Sequence, residues 1–295
     1  MKECVFKGCG TALVTPFTKD NRIDFEALAQ LIDFQLKGGA DAIIIFGTTG
    51  EASTLTDDEK LETAKFTLKC VNGKVPVIAG AGSNNTIRGI ELGQMLESAG
   101  VDALLHVTPY YNKTNEEGLK RHFRAVAESV NLPVILYNVP SRTGMNLLPE
   151  TCGELAKTPN IVAIKEAGGD VRTVSAIHTC AGEDFTVYSG NDDVILPTLA
   201  CGGKGVISVL SNILPEAVSA MCKSFFSGEP EVTRTLQKKY AKLISLLFCE
   251  TNPIPVKYAL SLMGMCEETT RLPLWNMSDA NKEKLKAEME KLHII

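Results

Sequence analysis

The chain alternates between short apolar runs and longer segments in which apolar residues recur at helical spacing. The apolar runs, rich in Val and Ile, are GTALVTPF from Gly10, DAIIIFGTTG from Asp41, VPVIAGAG from Val75, VDALLHVTPYY from Val101, LPVILYNVP from Leu132, IVAIKEAGG from Ile161, FTVYSGNDD from Phe185 and KGVISVLSN from Lys204. Most are continuous rather than alternating, which is typical of parallel strands covered on both faces. The pattern therefore predicts eight buried parallel strands.

The segments between these runs have the features of helices. TDDEKLETAKFTLKC opens with Thr56-x-x-Glu59, a capping box. In DFEALAQLIDFQLKGG, which ends in glycine, the apolar residues near one face are Phe25, Leu28, Leu31, Ile32 and Leu36. A strand followed by a helix, repeated eight times, predicts a (β/α)8 TIM barrel. A doubly wound open sheet is the alternative, but no G-x-G-x-x-G follows the first strand.

After about residue 212 the strand pattern stops and only helical segments follow. They run from Pro215 to Gly228, Pro230 to Glu250, Ile254 to Met263 and Asp279 to the end. The first is the barrel's last helix or the beginning of a helical extension. We predict a (β/α)8 catalytic barrel over 1–228 and a C-terminal helical domain over 229–295, packed on the barrel.

Composition excludes several classes of function. The net charge of −5 does not fit a nucleic-acid-binding surface. The nine cysteines and four histidines are scattered, without metal-ligand spacing, so we expect no metal and reduced thiols. No apolar run is long enough for a membrane span, and the N-terminus lacks a signal-peptide pattern. We therefore expect a cytoplasmic protein that contacts neither nucleic acid nor membrane.

Reactive side chains recur at the carboxyl ends of the predicted strands, where a TIM barrel places its active site. The most informative is Lys165, which follows the apolar run IVAI. An amine is a nucleophile only in its neutral form, and burial favours that form, so Lys165 is a candidate Schiff-base residue. The alternative is a lysine that reaches from the strand end to the surface.

Other strand ends supply hydroxyl groups and one guanidinium. Thr48, Tyr111 and Tyr137 could relay the protons that imine formation and collapse require. Arg142 offers a planar fork for a carboxylate, and the Thr48-Thr49-Gly turn offers backbone N–H groups and hydroxyls. A lone tyrosine is better explained as a core or rim aromatic, and Arg142 alone is equally compatible with a surface role in a loop.

The motifs GTTGE, TPYYN, YNVPSRTG, IVAIKEA and NPIPVK, in this order, resemble the dihydrodipicolinate synthase family of pyruvate-dependent class I aldolases. The resemblance covers essentially the whole chain. It implies that pyruvate forms a Schiff base with Lys165 and that the resulting enamine attacks aspartate semialdehyde. It also implies that no cofactor is needed and that the protein is a homotetramer built as a dimer of dimers.

The resemblance assigns roles to individual residues. Tyr137, Thr48 and Tyr111 would form the proton relay, with Tyr111 reaching a neighbouring subunit. Thr49 would hold the pyruvate carboxylate and Arg142 the carboxylate at the site entrance. The positions that would line the pyruvate pocket are Gly190 and Ile207.

Family members that are inhibited by lysine carry a regulatory pocket whose counterparts in this chain are Ser53, Asp57, Lys60, Asn84, Arg88 and Tyr110. Inhibited members typically have histidine and glutamate where this chain has Lys60 and Arg88. Lysine carries two ammonium groups, which two cations repel. We therefore expect weak or absent inhibition by lysine, although Asp57 offsets part of the repulsion.

Two other functions are compatible with the sequence. A sister aldolase, such as N-acetylneuraminate lyase or a keto-deoxy-sugar acid aldolase, would share the lysine and the strand-five tyrosine. Such enzymes resemble this chain less at Thr48-Thr49 and at Arg142. A non-catalytic barrel with a binding role is the other alternative, and the intact set of Lys165, Tyr137, Thr48 and Arg142 argues against it.

Overall fold

The fold is a closed barrel of parallel strands. The computed structural model describes residue 2 and residues 4–295; residues 1 and 3, at the start of the predicted segment 1–228, lie outside this description. Within it, β8 pairs with β1 and closes the barrel. The strands are β1 (Gly8–Ala12), β2 (Ala42–Ile45), β3 (Val77–Gly80), β4 (Ala103–Val107), β5 (Val134–Asn138), β6 (Ile161–Glu166), β7 (Thr186–Ser189) and β8 (Gly205–Ser208). The predicted (β/α)8 barrel is confirmed.

Helices follow the strands and cover the outside of the barrel. They are α1 (Phe25–Lys37), α2 (Asp57–Val71), α3 (Thr86–Ala99), α4 (Glu116–Glu128), α5 (Pro140–Thr143), α6 (Pro149–Leu155), α7 (Arg172–Ala181), α8 (Ile195–Ala200), α9 (Pro215–Phe226), α10 (Pro230–Leu247), α11 (Ile254–Leu262) and α12 (Asp279–Lys291). The predicted capping box is present, since Thr56 and Glu59 exchange hydrogen bonds at the start of α2. In α1, Leu28, Leu31 and Ile32 are buried as predicted, whereas Phe25 and Leu36 are only partly buried.

Each strand is buried on both faces, which explains the continuous apolar runs. Ile44, Ile78, Ile135 and Ile207 belong to a cluster that fills the barrel, while their strand neighbours pack outward against the helices. Fully burying such a side chain contributes about 1.5–3 kcal/mol. The barrel interior is thus a packed core, and the cavity described below lies at one end of it.

Phe6 closes the barrel interior beside the amino end of β1. Its ring stacks on Tyr188 with a centroid separation of 4.2 Å and an interplanar angle of 3°. The Tyr188 hydroxyl donates a 2.8 Å hydrogen bond to the Phe6 carbonyl. Since this phenol is satisfied by backbone, it is a structural tyrosine rather than a candidate for proton transfer.

The C-terminal helices pack on one another and on the barrel. Helix α10 contacts α9, α8 and α12, and α11 contacts α12. The four helical segments expected after residue 212 are present, and α11 begins within NPIPVK as expected. The division at residue 228 stays a prediction. No helix within residues 2 and 4–295 combines the length and apolar character needed to cross a bilayer.

Candidate active site

Lys165 lies near the carboxyl end of β6, beside Tyr137 on β5. The two residues are register partners in the parallel ladder. The Lys165 Nζ atom lies over the Tyr137 ring, 4.5 Å from its centroid. Lys165 is 6% exposed, and across residues 2 and 4–295 its Nζ forms neither a hydrogen bond nor an ion pair. A buried amine without a partner is an unusual arrangement for a purely structural lysine.

Gly190 and Ile207 shape the space around this amine. A Cβ atom on Gly190 would lie 3.1 Å from the Lys165 Cε atom, 3.0 Å from the Glu166 carbonyl oxygen and 2.6 Å from the Ala167 Cβ atom. Glycine at position 190 is therefore required by close approach. Ile207 on β8 is fully buried in the same interior cluster as Tyr137.

A cavity of about 520 Å³ opens at this end of the barrel. Its wall includes Thr48, Tyr137, Arg142 and Tyr110. Lys165 does not line the cavity itself. It lies against the face of the Tyr137 ring, and Tyr137 lines the cavity. The volume falls within the range of ordinary small-molecule sites, about 300–1,000 Å³.

The turn after β2 supplies the threonines. The Gly50 N–H donates to the Gly47 carbonyl at 3.1 Å, and the Thr15 hydroxyl donates to the Gly50 carbonyl at 2.7 Å. Thr48 is partly exposed to the cavity, and Thr49 is 3% exposed. These hydrogen bonds hold both threonines next to the barrel mouth.

Asn252, which sequence reasoning did not single out, joins two predicted site residues. Its side-chain Nδ2 donates to the Thr49 Oγ1 at 2.9 Å, and its backbone carbonyl accepts from the Arg142 Nη2 at 3.1 Å. Asn252 also lines the cavity. The C-terminal part of the chain thus positions both groups expected to hold carboxylates.

A buried ion pair anchors the same turn. Glu51 follows GTTG with a left-handed backbone, φ 51°. Its carboxylate pairs with the Lys257 ammonium, and both side chains are 0% exposed. Lys257 also donates to the Thr269 carbonyl at 2.8 Å, and Glu51 accepts from the Arg271 N–H at 3.0 Å. Burial lowers the pKa of Lys257, and Glu51 opposes that shift.

Arg271 extends this anchor to the first turn of α2. Its guanidinium pairs with Glu59 and donates to the Thr54 and Asn21 carbonyls. The Arg271 hydrogen bond is the main reason that the pKa of Glu59 falls to about 2. The residues that fasten the C-terminal segment to the GTTGE turn are therefore Glu51, Lys257, Glu59 and Arg271.

The two tyrosines of TPYYN lie in different environments. Tyr110 lines the cavity and is 38% exposed. Tyr111 is 93% exposed and has a left-handed φ of 69°, which is uncommon for a bulky residue. Tyr111 does not line the cavity of its own chain.

Asp192, in the SGNDD motif after β7, is a second residue that sequence reasoning did not assign. Its Oδ2 accepts hydrogen bonds from the Val209 and Leu210 N–H groups at 3.0 and 2.9 Å, while its Oδ1 has no partner within residues 2 and 4–295. Burial raises its pKa, and hydrogen bonds from Ser208, Leu210 and Val209 oppose this shift. The carboxyl group ties β7 to the turn after β8 near the catalytic end.

The residues expected in a regulatory pocket largely share the same cavity. Ser53, Lys60, Arg88 and Tyr110 line it. Asp57 is paired with Arg88 and does not line the cavity. The Asn84 side chain donates to the Tyr110 carbonyl at 3.1 Å and so fixes the tyrosine loop.

Comparison with known proteins places this arrangement in a family. The model of the dihydrodipicolinate synthetase family matches residues 5–292. A 4-hydroxy-tetrahydrodipicolinate synthase of Alkaliphilus oremlandii is 50% identical over 99% of this chain and 100% of its own length.

Solved structures give the same result. A chloride-inhibited dihydrodipicolinate synthase from Acinetobacter baumannii, solved with pyruvate, has a TM-score of 0.96 at 42% identity and covers 98% of this chain and 99% of its own. The enzyme from Cyanidioschyzon merolae with lysine bound has a TM-score of 0.96 at 40% identity. It covers 99% of this chain and 100% of its own. With its sequence, barrel and strand-end lysine all in agreement, the chain belongs to the dihydrodipicolinate synthetase family.

Proposed function

We propose that this chain condenses pyruvate with L-aspartate-4-semialdehyde to give 4-hydroxy-tetrahydrodipicolinate, in the pathway to diaminopimelate and lysine. The observation that carries the proposal is Lys165, a buried amine at a barrel strand end beside Tyr137, with no hydrogen-bond or ion-pair partner in the described part of the chain. Relatives that are 50% identical over their full length carry this activity in their names.

The reaction begins at the Lys165 Nζ atom. The neutral amine attacks the pyruvate carbonyl carbon, and the adduct loses water to form an imine. Loss of a methyl proton gives an enamine, whose carbon attacks the aldehyde. The amino group of the adduct then displaces Lys165 and closes the ring, which regenerates the free amine.

Each proton transfer needs a hydroxyl within reach. Tyr137, whose ring contacts Lys165, and Thr48, on the cavity wall, supply two of them. Tyr111 is exposed and held in a left-handed conformation, which suits a residue that enters the site of a neighbouring subunit. We propose that it does so in a homotetramer built as a dimer of dimers.

The carboxylates of the two substrates are held at separate places. Thr49 and its turn take the pyruvate carboxylate, while Arg142 takes the carboxylate at the entrance. Both positions are set by Asn252. We assign Gly190 and Ile207 to the pyruvate pocket, because glycine at position 190 leaves room for the Lys165 side chain and Ile207 packs in the same interior cluster as Tyr137.

The test is reduction of the protein with borohydride in the presence of pyruvate, followed by mass spectrometry of peptides. We expect one pyruvate adduct on Lys165, retained in Lys204→Met and absent in Lys165→Met. Turnover is then compared with aspartate semialdehyde and with N-acetylmannosamine. An unmodified, folded wild-type protein would refute the Schiff-base mechanism, and turnover of N-acetylmannosamine alone would assign the sister activity.

Lysine should inhibit this enzyme weakly or not at all. Lys60 and Arg88 line the cavity, and their positive charges would repel the two ammonium groups of lysine. Arg88 is partly neutralised by Asp57, but Lys60 forms no ion pair within the described residues. Initial rates measured over a lysine series test this proposal, and inhibition at submillimolar lysine contradicts it.

A further inference from the structure

Glu166, the residue after Lys165 on β6, is a buried carboxylate without a cation. It is 7% exposed, and in the part of the chain that the structure describes it forms no ion pair. Its Oε1 accepts a hydrogen bond from the Gly168 N–H at 2.5 Å, and its Oε2 accepts one from the Asn138 Nδ2 at 2.9 Å. Burial raises the pKa of Glu166, and these hydrogen bonds oppose the shift. Burying a carboxylate is costly, yet the condensation steps give this group no role.

Asn138 and Glu166 form a bridge across the two strands that carry the catalytic pair. They are register partners on β5 and β6, as are Tyr137 and Lys165 one position earlier. Because side chains alternate along a strand, Asn138 and Glu166 point outward, whereas Tyr137 and Lys165 point into the barrel. We name the hydrogen bond between the Asn138 and Glu166 side chains the outer bridge. It lies directly behind the two residues that the Schiff-base chemistry needs.

The outer bridge continues into the loop between β5 and α6, which carries the arginine of the site entrance. Asn138 is fully buried, and its second amide N–H donates to the Asn146 Oδ1 at 2.9 Å. Its Oδ1 accepts from the Leu147 N–H at 2.9 Å, so Asn138 closes the base of this loop. The backbone carbonyl of Glu166 accepts from the Gly190 N–H at 2.7 Å. The lysine strand, the arginine loop and the turn after β7 therefore share one network.

We propose that Asn138 and Glu166 are positioning residues for the proposed condensation, because the outer bridge fixes how the carboxyl ends of β5 and β6 lie against each other. The backbone ladder ends here, with the Ala167 N–H donating to the Asn138 carbonyl at 2.9 Å. At this open end the outer bridge restrains the two strands. An attacking amine misplaced by about 1 Å reacts about 10²-fold more slowly, so the outer bridge sets the rate at which Lys165 attacks pyruvate. The inference rests on the proposed Schiff base at Lys165.

Exchanging the donor and the acceptor tests the outer bridge. Asn138→Asp brings two carboxylate oxygens to the present 2.9 Å separation, where they repel each other unless they share a proton. Glu166→Gln removes one of the two acceptors that the Asn138 and Gly168 N–H groups use. With borohydride in excess, we expect each variant to form the pyruvate adduct on Lys165 at least about tenfold more slowly, measured by quenched time points and mass spectrometry. The double variant restores a donor–acceptor pair with exchanged roles, so it should recover much of the rate.

Asn160→Ala is the matched control, because Asn160 lies just before β6, at the opposite end of the strand. Its Nδ2 donates to the Ala127, Val130 and Leu132 carbonyls at 2.7, 3.2 and 3.2 Å. This variant should lower the Tm but leave the trapping rate unchanged. The outer-bridge variants, in contrast, should slow trapping even at temperatures well below their own Tm.

The proposal is overturned if both single variants trap pyruvate at the wild-type rate, if the double variant recovers nothing, or if Asn160→Ala slows trapping equally. Each rate is measured below the Tm of its variant, so unfolding does not enter the comparison. If wild type itself forms no adduct, the Schiff-base mechanism fails together with this inference. A wild-type adduct with unchanged variant rates refutes the role of the outer bridge alone.

Discussion

Replacing Lys257 by methionine would leave Glu51 as a buried carboxylate without its cation. Of the contacts that hold Glu51, the hydrogen bond from the Arg271 N–H at 3.0 Å would remain. Removing one partner of a buried ion pair destabilises a protein by about 3–5 kcal/mol, because the remaining charge is poorly solvated. At ~2.1 cal/mol/K per residue, 295 residues unfold with an entropy of about 0.6 kcal/mol/K. The expected fall in Tm is therefore about 5–8 °C.

Differential scanning calorimetry of three variants measures this effect. Lys37→Met is the control, because Lys37 pairs with Asp33 at 2.6 Å on the surface, with 76% of the lysine exposed. Such a pair contributes at most about 1 kcal/mol. Adding Glu51→Gln to Lys257→Met should recover much of the lost stability, since no unpaired charge then remains. If Lys257→Met lowers the Tm by no more than Lys37→Met does, the buried ion pair does not anchor the turn.

Two further predictions concern the site and its anchor. Gly190→Ala should leave the barrel folded but lower kcat by about 10²-fold, because its Cβ would lie 2.6 Å from the Ala167 Cβ and 3.1 Å from the Lys165 Cε, so the end of β6 and the amine must shift. Unchanged kcat in steady-state assays would show that Lys165 keeps its productive position. Hydrogen bonds from Arg271, and more weakly from Thr56, lower the pKa of Glu59 from 4.5 to about 2, so this carboxylate stabilises the folded state above pH 4.5 and the contribution is lost as the pH falls towards 2. Urea unfolding should accordingly show a gap between wild type and Glu59→Gln at pH 6 that shrinks on acidification, and a gap independent of pH would contradict the assignment.

The strands could be predicted from sequence because each is buried on both faces and so appears as a continuous apolar run. Helix α2 could be placed by its capping box, which depends on neighbouring residues. Helices α5 and α6, between β5 and β6, were not predicted individually. They have 4 and 7 residues, which is too short for helical periodicity to show.

The site could be predicted only in part. Lys165 and Tyr137 lie at strand ends, so the barrel itself brings them together. Glu51 and Lys257 are separated by 206 positions, and each resembles an ordinary surface charge when the sequence is considered alone. Their pairing depends on how the C-terminal segment packs, which no local pattern encodes. The same holds for Asn252, whose role follows from its contacts with Thr49 and Arg142.

The distance along the chain between Glu51 and Lys257 has a consequence for synthesis on the ribosome. At about 5–20 residues per second, the 206 positions take roughly 10–40 s to translate. Throughout that interval the turn that carries Thr48 and Thr49 has already been synthesised, but Lys257, the cation that pairs with Glu51, has not. The nascent barrel therefore acquires its complete mouth late, and a chain that stops before Lys257 would contain Lys165 without an anchored place for pyruvate.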